Sequence, residues 1–323
     1  MTTIRPLHFL LLFTFFVFGQ SRAQQAEYPN RTVRVVVPFP PGGAPDLVGR
    51  TLANRLSERL GQPFVVENRT GADGAIAAAA VMQAPPDGHT LFIATNTAML
   101  QVPLLQKKPP YDPLTSFTPV SLVGRYTFLL VVTPSLGVKT FDELIAYARK
   151  NPGKVNFATY SGASQLAYAQ IIKTAGVDML RVPYKGEAPS VIDLLGGQVH
   201  AVFATPTSSA VHIRDGKLRA LAVTLPQRWP LLPEVPTTVE AGMPPINVEF
   251  FAAMYGPAGM PAEIAARVSR ELTAIIARPA IKEQIDKQGF ALAASTPEEL
   301  RAFTKRQLGA WGQGFRDAGI HPE

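Results

Sequence analysis

The chain of 323 residues contains no cysteine. Disulfides, thiolate metal sites, a cysteine nucleophile and a lipid-modified N-terminal cysteine are therefore excluded. Histidine is scarce as well: of five, His8 lies in the first segment, and His89, His200, His212 and His321 stand apart. No His-Glu-x-x-His pair exists, so a zinc protease is not expected. A Gly-x-Ser-x-Gly elbow is missing; Gly162-Ala163-Ser164-Gln165-Leu166 comes nearest and lacks the last glycine. There is no Gly-x-x-x-x-Gly-Lys-Ser/Thr phosphate loop and no Gly-x-Gly-x-x-Gly after a strand. Catalysis is not the leading reading, and neither a cofactor nor a metal is expected. The formal charge is +7, yet no cluster of five basic residues occurs. The basicity reads as general surface charge, and no nucleic-acid partner is expected.

What is present suits a globular protein with a substantial core: 46% hydrophobic and 17% charged residues. The length suggests about two domains. The 30 prolines and 25 glycines punctuate apolar runs rather than form low-complexity tracts. Arg5 followed by the apolar stretch Phe9 to Gly19 and the small-residue site Ser21-Arg22-Ala23 reads as an export signal. The stretch is too short for a stable membrane span, and no later one approaches that length. Cleavage after Ala23 would remove Arg5 and Arg22 and lower the charge from +7 to +5. The mature protein is expected to be soluble and outside the cytoplasm.

The remainder alternates strand and helix signals. Val33 to Val37 is a β-branched run, and Asp46 to Leu60 carries Val48, Leu52, Leu56 and Leu60 on one stripe, with Gly61 as the stop. Phe64 to Val66, Ala75 to Gln83 and Leu91 to Ala94 extend the series as strand, helix and strand. A second run begins near Phe128, with strands at Val155 to Ala158, Val199 to Ala204 and Leu218 to Thr224. Helices are predicted up to Lys150, where Thr140 and Glu143 make a capping box, and over Ser164 to Ala175 and Ala188 to Leu195. The C-terminal part is helix-rich: Pro261 to Ala277, Ala280 to Gln288 and Pro297 to Trp311. The pattern predicts two α/β units with mostly parallel sheets.

Two strand-to-helix junctions stand out as binding loops. Pro38 to Asp46 has two glycines that let a ligand approach the backbone, ahead of a helix start whose free N–H groups and dipole favour a carboxylate. For Asp46 two roles are open, ligand contact or a first-turn acid that only serves the helix. Thr159 to Gln165 repeats the arrangement with small hydroxylated residues and Gly162; the plainer reading is a polar helix cap. Two such loops facing each other would close on a small acid.

These residues also carry a resemblance. Tyr28-Pro29 with Val33-Arg34-Val35-Val36-Val37-Pro38-Phe39-Pro40-Pro41-Gly42-Gly43 resembles the N-terminal signature of the Bug family, the extracytoplasmic solute receptors of tripartite tricarboxylate transporters. So do Leu60-Gly61-Gln62-Pro63, Val65-Val66-Glu67-Asn68-Arg69, Pro86-Asp87-Gly88, Val182-Pro183-Tyr184-Lys185-Gly186 and Asp193-Leu194-Leu195-Gly196-Gly197-Gln198-Val199. Gly216 to Ala222, Glu234-Val235-Pro236-Thr237 and Gly256-Pro257-Ala258-Gly259 complete an ordered series over essentially the whole mature chain.

The resemblance implies a two-domain periplasmic binding protein of type II-like architecture, monomeric, with its cleft between two α/β domains. After the signal over 1–23, domain 1 would comprise 24–125 plus 251–323, and domain 2 would be 126–250. It implies capture of a small carboxylate in the periplasm and delivery to membrane subunits of a transporter; the same receptor serving a membrane sensor is the alternative. The first carboxylate grip is carried onto Phe39, Gly43, Ala44 and Asp46. The opposing loop falls on Thr159, Ser161, Ala163, Ser164 and Gln165, and the rim on Tyr184 and Thr205.

Three departures from the family pattern are visible. Pro45 deletes an N–H in the first loop, and Leu166 stands where many members have His. Ala204 follows Phe203 where many have Asp, which removes a partner for an ammonium group and favours a dicarboxylate or aromatic acid over an amino acid. A secreted hydrolase using Ser161 or Ser164 is a third reading, without an assignable acid or histidine.

Overall fold

The computed structural model of the chain describes residues 28–42, 44–225, 227–243, 250–287 and 289–322. The export signal over 1–23 thus lies outside the described residues. Along the chain come β1 (Val33–Val37), α1 (Ala44–Leu60), β2 (Phe64–Asn68), α2 (Ala75–Met82), β3 (Thr90–Thr95), a π-helical turn (Thr97–Gln101) and α3 (Val102–Leu105). Then follow β4 (Phe117–Tyr126), β5 (Leu129–Val132), α4 (Phe141–Lys150), β6 (Asn156–Thr159), α5 (Gly162–Ala175), β7 (Leu180–Pro183) and α6 (Glu187–Leu195). The series ends with β8 (Ala201–Ala204), α7 (Pro206–Arg214), β9 (Arg219–Val223), β10 (Phe251–Pro257), α8 (Ala262–Ile276), α9 (Pro279–Asp286), β11 (Phe290–Leu292) and α10 (Pro297–Asp317).

The strands form two sheets, one ordered β11-β4-β10-β3-β1-β2 and the other β7-β6-β8-β5-β9. Each is covered on both faces by its own apolar clusters. Val36, Phe92 and Tyr255 point to one side of the first sheet, and Val35, Leu91 and Met254 to the other. Phe157 and Phe203 fill one side of the second sheet, and Ala158 and Val202 the other. Each fully buried Val, Leu or Phe contributes roughly 1.5–3 kcal/mol relative to exposure, which is why the continuous β-branched runs form covered strands.

The α/β class and the two-part architecture agree with the sequence reading, but the sheets are mixed rather than mostly parallel. Of nine strand pairings, four are parallel and five antiparallel. The cause is the chain path between sheets. β1, β3, β6 and β8 all run with their C-terminal ends towards the space between the two halves. The chain leaves the first sheet along β4, enters the second at the start of β5, and returns at the start of β10. A strand that starts at that boundary must run against the strands that end there, so β5 opposes β8 and β10 opposes β3.

β4, β7, β10 and β11 have no counterpart among the sequence expectations. β4 contains Pro119 and Gly124, and its pairing with β10 slips register twice, so neither alternation nor a continuous run marks it. Gly124 is there because β11 passes close: a Cβ on it would lie 2.3 Å from the Ala291 carbonyl oxygen and 2.5 Å from the Phe290 ring. At α4 the Thr140 hydroxyl accepts from the Glu143 N–H as expected, at 3.1 Å. The Glu143 carboxylate, however, accepts from the Lys139 N–H at 2.6 Å instead of completing the reciprocal box.

The halves meet along their shared edge. Tyr126 N–H donates to the Phe250 carbonyl and Thr127 N–H to the Gly289 carbonyl, both at 2.9 Å. The Phe128 and Phe250 rings lie 4.3 Å apart. On one flank α10 lies against α5, where Leu166 joins the core around Trp311. On another, the Trp229 indole N–H donates to the Asp286 carbonyl at 3.2 Å.

Candidate ligand-binding cleft

Between the sheets lies a cleft of about 350 Å³. From the first sheet's loops and strand ends it takes Phe39, Pro45, Thr95, Asn96, Thr97 and Tyr126. From the second half it takes Tyr160, Ser161, Ala163, Glu187, Thr205 and Thr207, while Phe128 and Phe250 line it at the crossovers. Strand C-terminal ends deliver most of these groups, as expected for ligand sites in open α/β sheets. The starts of α1, α5, α6, α7 and the π-helical turn all contribute a residue, so several positive helix ends converge on one space.

The loop after β1 is braced from behind. Gly42 adopts φ 88°, a left-handed conformation that favours glycine. Its N–H donates to Asp46 Oδ2 at 2.9 Å, Arg50 Nε donates to the same oxygen at 2.9 Å, and Asn68 Nδ2 donates to Asp46 Oδ1 at 2.8 Å. Asn68 Nδ2 also reaches the Phe39 carbonyl at 2.9 Å. Asp46 is buried, with its carboxylate committed to holding the loop. Burial pushes the Asp46 carboxyl up, but the bonds from Arg50, Gly42 and Asn68 and the Arg50 charge outweigh it and hold it below its usual value. Of the two roles open for Asp46, the geometry fills the structural one. Phe39 does line the cleft; Gly43 and the side chain of Ala44 lie outside the described residues.

The loop after β6 is partly self-satisfied. The Ser161 hydroxyl accepts from the Ser164 N–H at 3.2 Å, and Ser164 Oγ accepts from the Tyr160 and Ser161 N–H groups at 2.9 and 3.0 Å. This capping box uses those donors and leaves the Gly162 and Ala163 N–H groups as first-turn donors without a cap among the described residues. Ser161 and Ala163 line the cleft, whereas Ser164 and Thr159 are buried behind it and Gln165 is half-buried on α5, off the lining. Tyr184 is also off the lining. Its hydroxyl donates to Asp193 Oδ2 at 2.6 Å, and burial with that acidic partner pushes it up to about 12. Thr205 is at the wall, in the N-cap position of α7 without a side-chain cap bond.

Thr95, Tyr126 and Glu187, which sequence reasoning missed, and Tyr160, which lies within the second loop, supply much of the polar chemistry. Thr95 Oγ1, Tyr126 Oη and Tyr160 Oη are buried without a hydrogen-bond partner among the described residues. Such groups are rare because each costs about 1–3 kcal/mol unless a partner arrives. Burial drives Tyr126 upward, and burial plus the Glu187 charge does the same to Tyr160, so both hydroxyls keep their protons. Glu187 is the one acidic or basic side chain in the described lining. Its Oε1 accepts from the Thr205 N–H, from Thr205 Oγ1 at 2.9 Å and from Ser208 Oγ. Ala204 does remove one acid from this wall, and α6 brings another, Glu187, to the neighbouring Thr205. A visible signal for Thr95 was the polar run Thr95-Asn96-Thr97 closing a buried strand, the same pattern as the two loops singled out.

No histidine lines the cleft among the described residues, and no group of three or more side chains that could hold a metal ion occurs among them. What remains is a receptor-like space with aromatic walls, neutral donors and one acid. The model of the tripartite tricarboxylate transporter family receptor matches residues 48–320. The chain belongs to that family.

Proteins similar to the chain include protein BugT of Bordetella pertussis, 37% identical over 297 residues that span 90% of each chain. Among solved structures, Rpa4515 of R. palustris with adipate has a TM-score of 0.79 at 34% identity, covering 92% of this chain and 100% of its own. The periplasmic binding protein BugD has a TM-score of 0.74 at 35% identity, again over 92% and 100%. BugD is a periplasmic binding protein, and the two-domain binding-protein fold is shared by this chain.

Proposed function

We propose that this receptor captures a small carboxylic acid with an apolar or aromatic body in the periplasm and hands it to membrane subunits of a tripartite transporter. The observation that carries the reading is the set of unpartnered hydroxyls of Thr95, Tyr126 and Tyr160, held among helix starts in an aromatic-walled cleft. A carboxylate accepts from such donors without needing a cation. Adipate bound to the similar R. palustris protein supports the carboxylate class. In this reading 1–23 is removed as an export signal after about Ala23, and the mature chain works as a monomer without catalysis. Domain 1 is 24–125 plus 251–323 and domain 2 is 126–250, with the acid bound between them.

The test is a thermal-shift screen of residues 24–323 against mono-, di- and tricarboxylates, aromatic acids and amino acids. An acid at about 100 times its dissociation constant adds roughly 2.7 kcal/mol of stability, and it should be recovered unaltered after long incubation. A folded, ligand-free protein that no acid stabilises, or that converts the acid it binds, would overturn the reading.

A further inference from the structure

We propose that the Glu187 carboxylate reads the far end of the ligand, selecting a hydrogen-bond donor there, an ammonium or a hydroxyl, and rejecting a second carboxylate. This rests on the cleft being a carboxylate site, and names the class of acid it accepts.

Three observations lead to it. First, Glu187 stands in the lining at the start of α6, on the second sheet's side, whereas the unpartnered hydroxyls of Thr95 and Tyr126 belong to strands of the first. A carboxylate drawn to those hydroxyls leaves its other end facing Glu187. Second, the bonds that Thr205 and Ser208 give to the Glu187 carboxylate all fall on Oε1. The side chain is thereby fixed in orientation, and Oε2 remains able to accept from a ligand. Third, no Lys or Arg is present in the described lining. A second ligand carboxylate would meet a like charge across a low-dielectric gap with no cation to offset it. An ammonium gains a charge-assisted bond at the same place, and a hydroxyl gains a strong one. The aromatic rings of Phe39, Phe128 and Phe250 suit a flat or apolar body between the two ends.

The experiment uses one body with four tails: 4-(aminomethyl)benzoate, 4-(hydroxymethyl)benzoate, 4-methylbenzoate and terephthalate, with 5-aminopentanoate, 5-hydroxypentanoate, pentanoate and glutarate as the aliphatic counterpart. Dissociation constants are measured by calorimetry on the full mature protein and on Glu187→Gln, which keeps an oxygen for Thr205 and is checked for an unchanged melting temperature. The expected result is that the wild type binds the best donor-tailed acid of a series at least tenfold more tightly than the dicarboxylate. Glu187→Gln should narrow that ratio at least tenfold, with the methyl-tailed acid little affected. Equal or tighter binding of the dicarboxylate by the wild type overturns the proposal and leaves the receptor reading standing, as does a ratio that Glu187→Gln does not change. If neither protein binds any member of either series, the proposal and the carboxylate reading of the cleft fall together.

Discussion

The hydroxyls of Tyr126 and Tyr160 separate binding from folding at the level of single residues. Each is buried with nothing to donate to among the described residues, so Tyr126→Phe and Tyr160→Phe remove a desolvated polar group rather than an internal bond. Both variants should melt at or above the wild-type temperature while binding the preferred acid about tenfold more weakly, the loss expected for one hydrogen bond to a charged group. A lowered melting temperature with unchanged affinity would assign the hydroxyls to the fold instead. Asp46 should behave in the opposite way. Its carboxyl is held below the usual value in the folded protein, so the unfolded chain takes up the proton first as pH falls. The stability it contributes is complete above the unfolded value of about 3.9 and is lost as pH drops through the folded value. Asp46→Asn should therefore be less stable than wild type at pH 7, by about 2 kcal/mol. The gap should shrink in acid, as denaturant titrations at pH 7 and pH 3 would show.

At the level of elements, the loops after β1 and β6 were legible because their signals are local: a covered β-branched run, then glycine or small hydroxylated residues, then an amphipathic helix. The two loops follow from that pattern, while Phe39, Ser161 and Ala163 within them were singled out by the family resemblance. Tyr126, Phe250 and Glu187 do not, because their positions depend on pairings between residues far apart in sequence. Tyr126 faces the cleft only because β4 lies beside β10, paired Arg125 to Phe251, and that pairing is disguised by Pro119, Gly124 and two slips of register. The same crossing strands make the sheets mixed. Gly124 is the point where this arrangement is most exposed to mutation. Gly124→Ala drives a methyl into the backbone of Ala291, which has no rotamer to yield, and should lower stability by about 2–3 kcal/mol. A thermal melt of Gly124→Ala within a degree of wild type would show that β11 can move away freely.

For the molecule as a whole, the two tryptophans sit where the halves meet. Trp311 lies in the core that receives Leu166 of α5, and Trp229 bonds across to Asp286. If capture of an acid moves one half against the other, the Trp311→Phe protein, which keeps only Trp229, should change its emission on saturation. A constant emission, with binding confirmed by calorimetry, would mean that the halves stay fixed about that contact. The arrangement of two sheets was readable from alternating elements, and the ordered series of motifs reached the family; the composition of the cleft had to wait for the three-dimensional pairing.

Because the described lining of the cleft holds no Lys or Arg, the proposed grip on an anion would be made of short-range dipoles. Dissolved salt screens charges at separations beyond roughly 10 Å at 0.1 M, and leaves hydroxyl and N–H contacts at bonding distance almost untouched. Affinity should therefore hold nearly constant from dilute to brackish surroundings, where a site built on arginine would weaken. Wherever ionic strength varies, such a receptor keeps its sensitivity as the medium changes.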